Sequence, residues 1–529
     1  MSGAEERRQG AAPAAAARLI RRPHLLVALA LLAALALVAG LVCARGERAS
    51  GPPDDAARLV PASALAYVHL STDPDRTADR RLARLAEALP TVTRLREAVV
   101  AAISPQAFDI ARDVRPWLGD ELAYAAVSPA DSVVLAEVAD RPRAEALVAR
   151  IGNLEAAERY RGVRVLIAGP TAIAFVGDFL AVGTEAAVRA AVDREQGDGE
   201  RLSDLGAYEH AADGAPADRS VVAYASAAGV REVLAPRDGL LGALGTLLDR
   251  PGLVAAGAAV TAEAGGLRTH VNLAGGAPRD AAFEPLLLER VPERAAAYLG
   301  VRGAARLARL LEWLGAGAAL ASVREVLAGE AGVDLDRELL APLDGEVAIA
   351  VTGATEDAAG TGAGAPVVTL KARTADARRT ESALARLQEP LARRLALPGS
   401  VPGFKPETIG GLEGYTLRVT PELAPSYAVS GDGLVASTAP AGLEPPRGTL
   451  AAASAFEATV GSVPARAESL VFLDLRQLLA LGEQTGLTAI PGVATARDDL
   501  RRVRAAGAVV TQDPAHPSDT NAELFLQIP

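Results

Sequence analysis

Hydrophobic and polar positions change period several times along this chain, and each change marks an element. From Leu25 to Ala44 (LLVALALLAALALVAGLVCA) twenty residues run without a charge. As a helix such a run is roughly 30 Å long, matching the hydrocarbon core of a bilayer. Residues 64–70 (ALAYVHL) then alternate as a partly buried strand. An amphipathic helix follows, with Leu82, Leu85 and Leu89 on one side and Arg81, Arg84 and Glu87 elsewhere. Pro90 breaks it, and Thr91 caps a second helix through about residue 103. Strands are expected at 122–127, 132–138, 162–167, 171–175, 179–182, 220–225, 253–263 and 266–274. Helices are expected at 141–154, 185–193 and 202–211, and from 225 to about 249.

The order then returns. Val60-Pro61-Ala62 before Ala66-Tyr67 is echoed by Val291-Pro292-Glu293 before Ala297-Tyr298. Leu118-Gly119-Asp120-Glu121 is matched by Leu343-Asp344-Gly345-Glu346, each ahead of a strand. Tyr208-Glu209 corresponds to Phe456-Glu457, and residues 255–260 (AAGAAV) to 505–510 (AAGAVV). A second amphipathic helix carries Leu307, Leu310, Leu311 and Leu314 inward, with Arg302, Arg306 and Arg309 outward. Weak matches in one order point to a tandem duplication with its junction in the Gly/Pro-rich run 275–280. The expected fold class is therefore α+β, two duplicated halves of mostly antiparallel sheet with packed helices after one N-terminal transmembrane helix. The expected segments are a cytoplasmic tail (1–24), the transmembrane helix (25–44), a linker (45–57), a first repeat (58–275) and a second repeat (286–529).

Charge decides the topology. Arg7, Arg8, Arg18, Arg21 and Arg22 precede the apolar run against Glu5 and Glu6, placing the N-terminus inside and the body outside. The rival reading is a cleavable signal peptide ending near Val42-Cys43-Ala44; the run is longer than the usual apolar region of such peptides, which favours a retained anchor. Cys43 is the only cysteine, so no intrachain disulfide and no cysteine-based metal site exists. Net charge is −11; residues 1–24 carry +3, leaving −14 on the rest. That balance excludes phosphate-binding surfaces for nucleic acid.

This pattern resembles an uncharacterised family of high-GC Gram-positive bacteria with one N-terminal span and an exported body opening on a strand like residues 60–68 here (VPASALAYV). The resemblance covers about residues 58–529. It implies a membrane-anchored protein of unknown function, and it carries over no catalytic residue.

Candidate chemistry is sparse. His24, His69, His210, His270 and His516 form no HxH or HExxH motif, and each reads as an isolated strand, helix or loop residue. Asp120-Glu121 and Asp344 with Glu346 suit acid–base pairing, but their Gly-Asp and Asp-Gly contexts read as turns entering strands. Residues 353–364 lack the Lys-Ser/Thr of a phosphate loop, and Ser430-Gly431-Asp432-Gly433 reads as a hairpin turn. Trp117 and Trp313 are expected to pack against a core. No catalytic, cofactor or metal residue is assigned. The leading expectation is a non-catalytic envelope protein that contacts the membrane through Leu25 to Ala44 and binds a lipid or apolar ligand between sheet and helices. The alternative is a scaffold for an envelope protein partner, and an envelope hydrolase stands third.

Overall fold

In the computed structural model the described residues are 51–88, 110–150, 156–212, 215–234, 251–276, 281–312, 317–353, 365–397, 403–420, 423–431, 433–485 and 500–528. The expected span Leu25 to Ala44 and the expected helix at 91–103 lie outside them, as do Trp313, Leu314 and the loop 354–364. No described helix is long and apolar enough to cross a membrane. The fold is α+β with mostly antiparallel sheet. It divides into two units, Met1–Pro278 with Ser518–Asn521, and Arg279–Pro517 with Ala522–Pro529.

The first unit holds ten strands: β1 (Ala66–Ser71), β2 (Leu118–Ala126), β3 (Ser132–Val138), β4 (Ala156–Tyr160), β5 (Val163–Ala168), β6 (Thr171–Val176), β7 (Phe179–Gly183), β8 (Val221–Ser226), β9 (Leu253–Glu263) and β10 (Gly266–Gly275). They pair antiparallel in the order β4-β5-β6-β7-β3-β2-β1-β8-β9-β10. Alternation along each strand gives the sheet two apolar faces, and both are covered. Tyr67, Ala123, Ala125, Val133, Leu135 and Ala181 pack one face beneath helix Glu185–Glu195 and the 3-10 turn Ala56–Leu59. Ile173, Leu180 and Ala136 meet helix Arg141–Arg150 on the other, with Trp117 buried among them and its Nε1 donating to Asp113 O at 2.8 Å. Strand β4 is one element that the polar residues AAERY conceal. It forms through a hairpin at Arg161-Gly162, both with positive φ (47° and 83°), a turn in which Arg161 replaces the usual Asn or Asp signal.

The second unit also holds ten: β11 (Ala295–Arg302), β12 (Glu346–Thr352), β13 (Val367–Arg373), β14 (Lys405–Ile409), β15 (Leu412–Thr416), β16 (Ser426–Ser430), β17 (Gly433–Ser437), β18 (Ser469–Asp474), β19 (Ala505–Gln512) and β20 (Thr520–Gln527). Their order is β14-β15-β16-β17-β13-β12-β11-β18-β19-β20, the same sequence of positions as in the first. Register agrees too. Tyr67 lies opposite Ala125 and Tyr224, and Tyr298 opposite Ala350 and Phe472. Helix Ser454–Val460 presses onto β19 at Gly507, where an added Cβ would stand 2.8 Å from the Thr459 backbone carbon, so only glycine permits the approach.

Three expected features change. The helix at 202–211 is a 3-10 turn, Leu202–Asp204, followed by helix Gly206–Ala212. Arg302 belongs to β11 rather than to the helix Ala304–Leu311. The stretch read as the end of a linker is packed: Ala56 and Ala57 are buried in the first core.

Candidate functional site

One face of β1 carries Tyr67, His69 and Ser71, all buried, because alternate residues of a strand share a face. Glu121 on β2 stands opposite Ser71, and Tyr224 on β8 opposite Tyr67. Two further elements close over these residues: the segment ahead of Ala56–Leu59 brings Asp54, and helix Gly206–Ala212 brings Tyr208. Tyr67, Tyr208 and Tyr224 stack edge to face, with centroids 5.8 and 5.5 Å apart.

Asp54 is held by both hydroxyls. Tyr67 Oη donates to its Oδ1 at 2.5 Å, and Tyr208 Oη donates to Oδ2. Burial, reinforced by the Asp54 charge, pushes both phenols well above their ordinary range, so they remain donors. Glu121 accepts from Asp55 N at 2.9 Å and Ala56 N at 3.1 Å, satisfying the open N–H groups at the start of the 3-10 turn. Burial lifts its carboxyl to about 7 against the pull of the Ala56 hydrogen bond.

His69 is fully buried and, among the described residues, neither ring nitrogen has a hydrogen-bond partner. Its Nε2 lies 3.9 Å from Glu121 Oε2, beyond hydrogen-bond range. Burial lowers its proton affinity and so disfavours the charged imidazolium, against the pull of the Asp54 charge. Asp54, His69 and Glu121 each offer a ligand atom, all within 4.8 Å of one another. A nucleophilic arrangement is not what this forms: Ser71 Oγ donates to Asp79 Oδ2 at 2.6 Å and leaves the imidazole without a hydroxyl to activate. Asp79 is in turn paired with the buried Arg76 at 3.2 Å.

The counterpart face in the second unit keeps two of these groups. Glu346 Oε2 accepts from Leu287 N at 2.8 Å, at the start of the 3-10 turn Leu287–Arg290, and burial lifts its carboxyl to about 7. Tyr298 occupies the place of Tyr67. By register and turn position, Pro285 stands for Asp54, Gly300 for His69, Phe456 for Tyr208 and Phe472 for Tyr224. Tyr298 folds over Gly300, where a Cβ would come within 2.7 Å of its hydroxyl.

The reading of these acids as turn residues is thus corrected. Glu121 lies inside β2 and Glu346 opens β12, and both are buried; only Asp344, two residues ahead of β12, is exposed. The pattern of the DUF3352 family, described as a protein of unknown function, matches residues 25–528. The chain belongs to the DUF3352 family. No curated protein matches it in sequence. Crystal form III of TP0453 is similar to this DUF3352 chain at a TM-score of 0.28 and 12% identity, over 43% of this chain and 82% of that one. Form I stands at 0.26 and 12%, over 42% and 79%. At such TM-scores nothing transfers from that protein.

Of the other histidines, His210 Nε2 meets Asp519 Oδ2 at 2.6 Å, His270 lies on β10, and His516 is exposed beside Asp513. His24 lies outside the described residues. Motif spacing could not reveal His69 as a cluster member, because residues 54, 69 and 121 come from three elements. A signal does exist in the internal comparison: the Tyr and Glu are kept in both halves while Asp54 and His69 occur in one.

Proposed function

We propose that this DUF3352 member is a single-pass, non-catalytic scaffold of the cell envelope, anchored through Leu25 to Ala44, with its body outside. The family pattern supports the anchor, since it begins at residue 25, the first of the apolar run. The shared ten-strand order and register support an origin of the two units by tandem duplication. The observation that carries the scaffold reading over a lipid carrier is the packing between sheet and helices. Val188, Ala191, Val192 and Leu202 fill that space in the first unit, and Leu450, Phe456 and Val460 fill it in the second. Those are the positions an apolar ligand would need.

The test is to fractionate cells expressing the full chain. The anchored reading expects it in the membrane pellet after alkaline carbonate washing, with the body digested by protease added to intact protoplasts. Release by carbonate, or protection from the protease, overturns it. Native mass spectrometry of the solubilised chain then separates the two uses: a reproducible lipid-sized added mass restores the carrier, and covalent crosslinks to membrane proteins sustain the scaffold.

A further inference from the structure

We propose that Asp54, His69 and Glu121 form a binding site for one divalent cation of the Zn²⁺ class in the first unit. A buried imidazole with both nitrogens unpartnered is costly, and among the described residues His69 is such a group. The oxygens that face it are already oriented. Two tyrosines hold Asp54, and two backbone N–H groups hold Glu121, the outer-shell support that metal-ligating carboxylates ordinarily have.

The donor set is one neutral imidazole and two carboxylates, which suits Zn²⁺ and excludes cations that demand thiolate. Ligand atoms bound at about 2.0–2.2 Å in tetrahedral geometry stand roughly 3.3 Å apart. Drawing His69 and Glu121 together from 3.9 Å is a shift of side-chain size. A dication would also compensate the two buried or half-buried carboxylates. Asp54, the only half-exposed member, gives the entry side.

The second unit argues the same from the opposite direction. Its Glu346 caps a 3-10 turn as Glu121 does, so the fold alone accounts for the glutamate. The fold does not call for Asp54, His69 or Tyr208: Pro285, Gly300 and Phe456 serve in their places. The three polar residues occur together in the first unit and are replaced together in the second, as residues of a shared site would be.

Equilibrium dialysis of the detergent-solubilised full chain against Zn²⁺, read by elemental mass spectrometry, is the test. Bound Zn²⁺ is expected, with one equivalent per chain falling at least tenfold in occupancy in His69→Gln and unchanged in His270→Ala, a strand residue outside the cluster. No bound Zn²⁺, equal binding by His69→Gln, or equal loss in His270→Ala overturns the site. Should His69→Gln misfold by circular dichroism, X-ray absorption of the wild-type Zn²⁺ complex decides. A shell of one imidazole with oxygen donors sustains the site, and a shell without imidazole overturns it.

Discussion

The two units place different chemistry on one scaffold. In the first, the face of β1 is polar: Tyr67 and Tyr208 grip Asp54, and His69 stands beside Glu121. In the second, Phe456 and Phe472 pack with centroids 5.6 Å apart, and Gly300 makes room for the Tyr298 ring. The polarity is not simply removed, since Lys371 is buried on β13 at the register position that Leu135 holds on β3. What both retain is the glutamate under the 3-10 turn and the tyrosine on the strand beside it. The difference teaches which residues the architecture requires. A buried carboxylate that satisfies open N–H groups is kept, whereas groups that satisfy only one another are free to change.

The largest expected effect tests what is shared. Glu121→Ala and Glu346→Ala each strand backbone N–H groups and leave a cavity, so each should cost about 3–5 kcal/mol. Denaturant unfolding in the presence of a chelator measures both. A cost near zero in either unit would show that the turn does not depend on its glutamate there, and the comparison would lose that common element.

The next effect is one of pH. Glu346 is raised from its ordinary value to about 7 by burial, against Leu287 and Leu286 N–H and the charges of Arg373 and Arg290. A raised carboxyl binds its proton more tightly in the folded state, so the folded protein holds more protons between about 4.5 and 7. Stability therefore falls as pH rises through that window, by about 2–3 kcal/mol from this one group. Glu346→Gln keeps an acceptor without the charge. It should flatten that part of the profile in thermal unfolding, and an unchanged profile would refute the assignment.

The smallest effect separates the units most sharply. Tyr67→Phe removes a donor from Asp54 and should cost about 1–2 kcal/mol. Tyr298→Phe removes a buried hydroxyl that faces the Glu346 carboxyl without the geometry of a full hydrogen bond, and should cost less than Tyr67→Phe. Equal costs for the two substitutions would mean that the second unit satisfies its tyrosine after all.

By itself the sequence determined much of the element order. Periodicity located β3 and β9 to the residue, and the echoes Val60-Pro61 with Val291-Pro292, and 255–260 with 505–510, sit at equivalent places in equal strand orders. Those are local patterns, set by whether each side of a strand or helix meets water or core. Burial of Glu121 and Glu346 was decided elsewhere. A Gly-Asp-Glu string reads as a turn until a 3-10 turn some sixty residues away lays its N–H groups over the carboxylate. Strand β4 was hidden because a hairpin partner, not its own polar residues, makes it a strand. The Asp54–His69–Glu121 cluster depends on contacts across 13 to 66 residues between three elements, and no spacing rule within one element encodes that. Local solvent preference is written along the chain, whereas which polar groups meet in the dark is a property of the packed sheet.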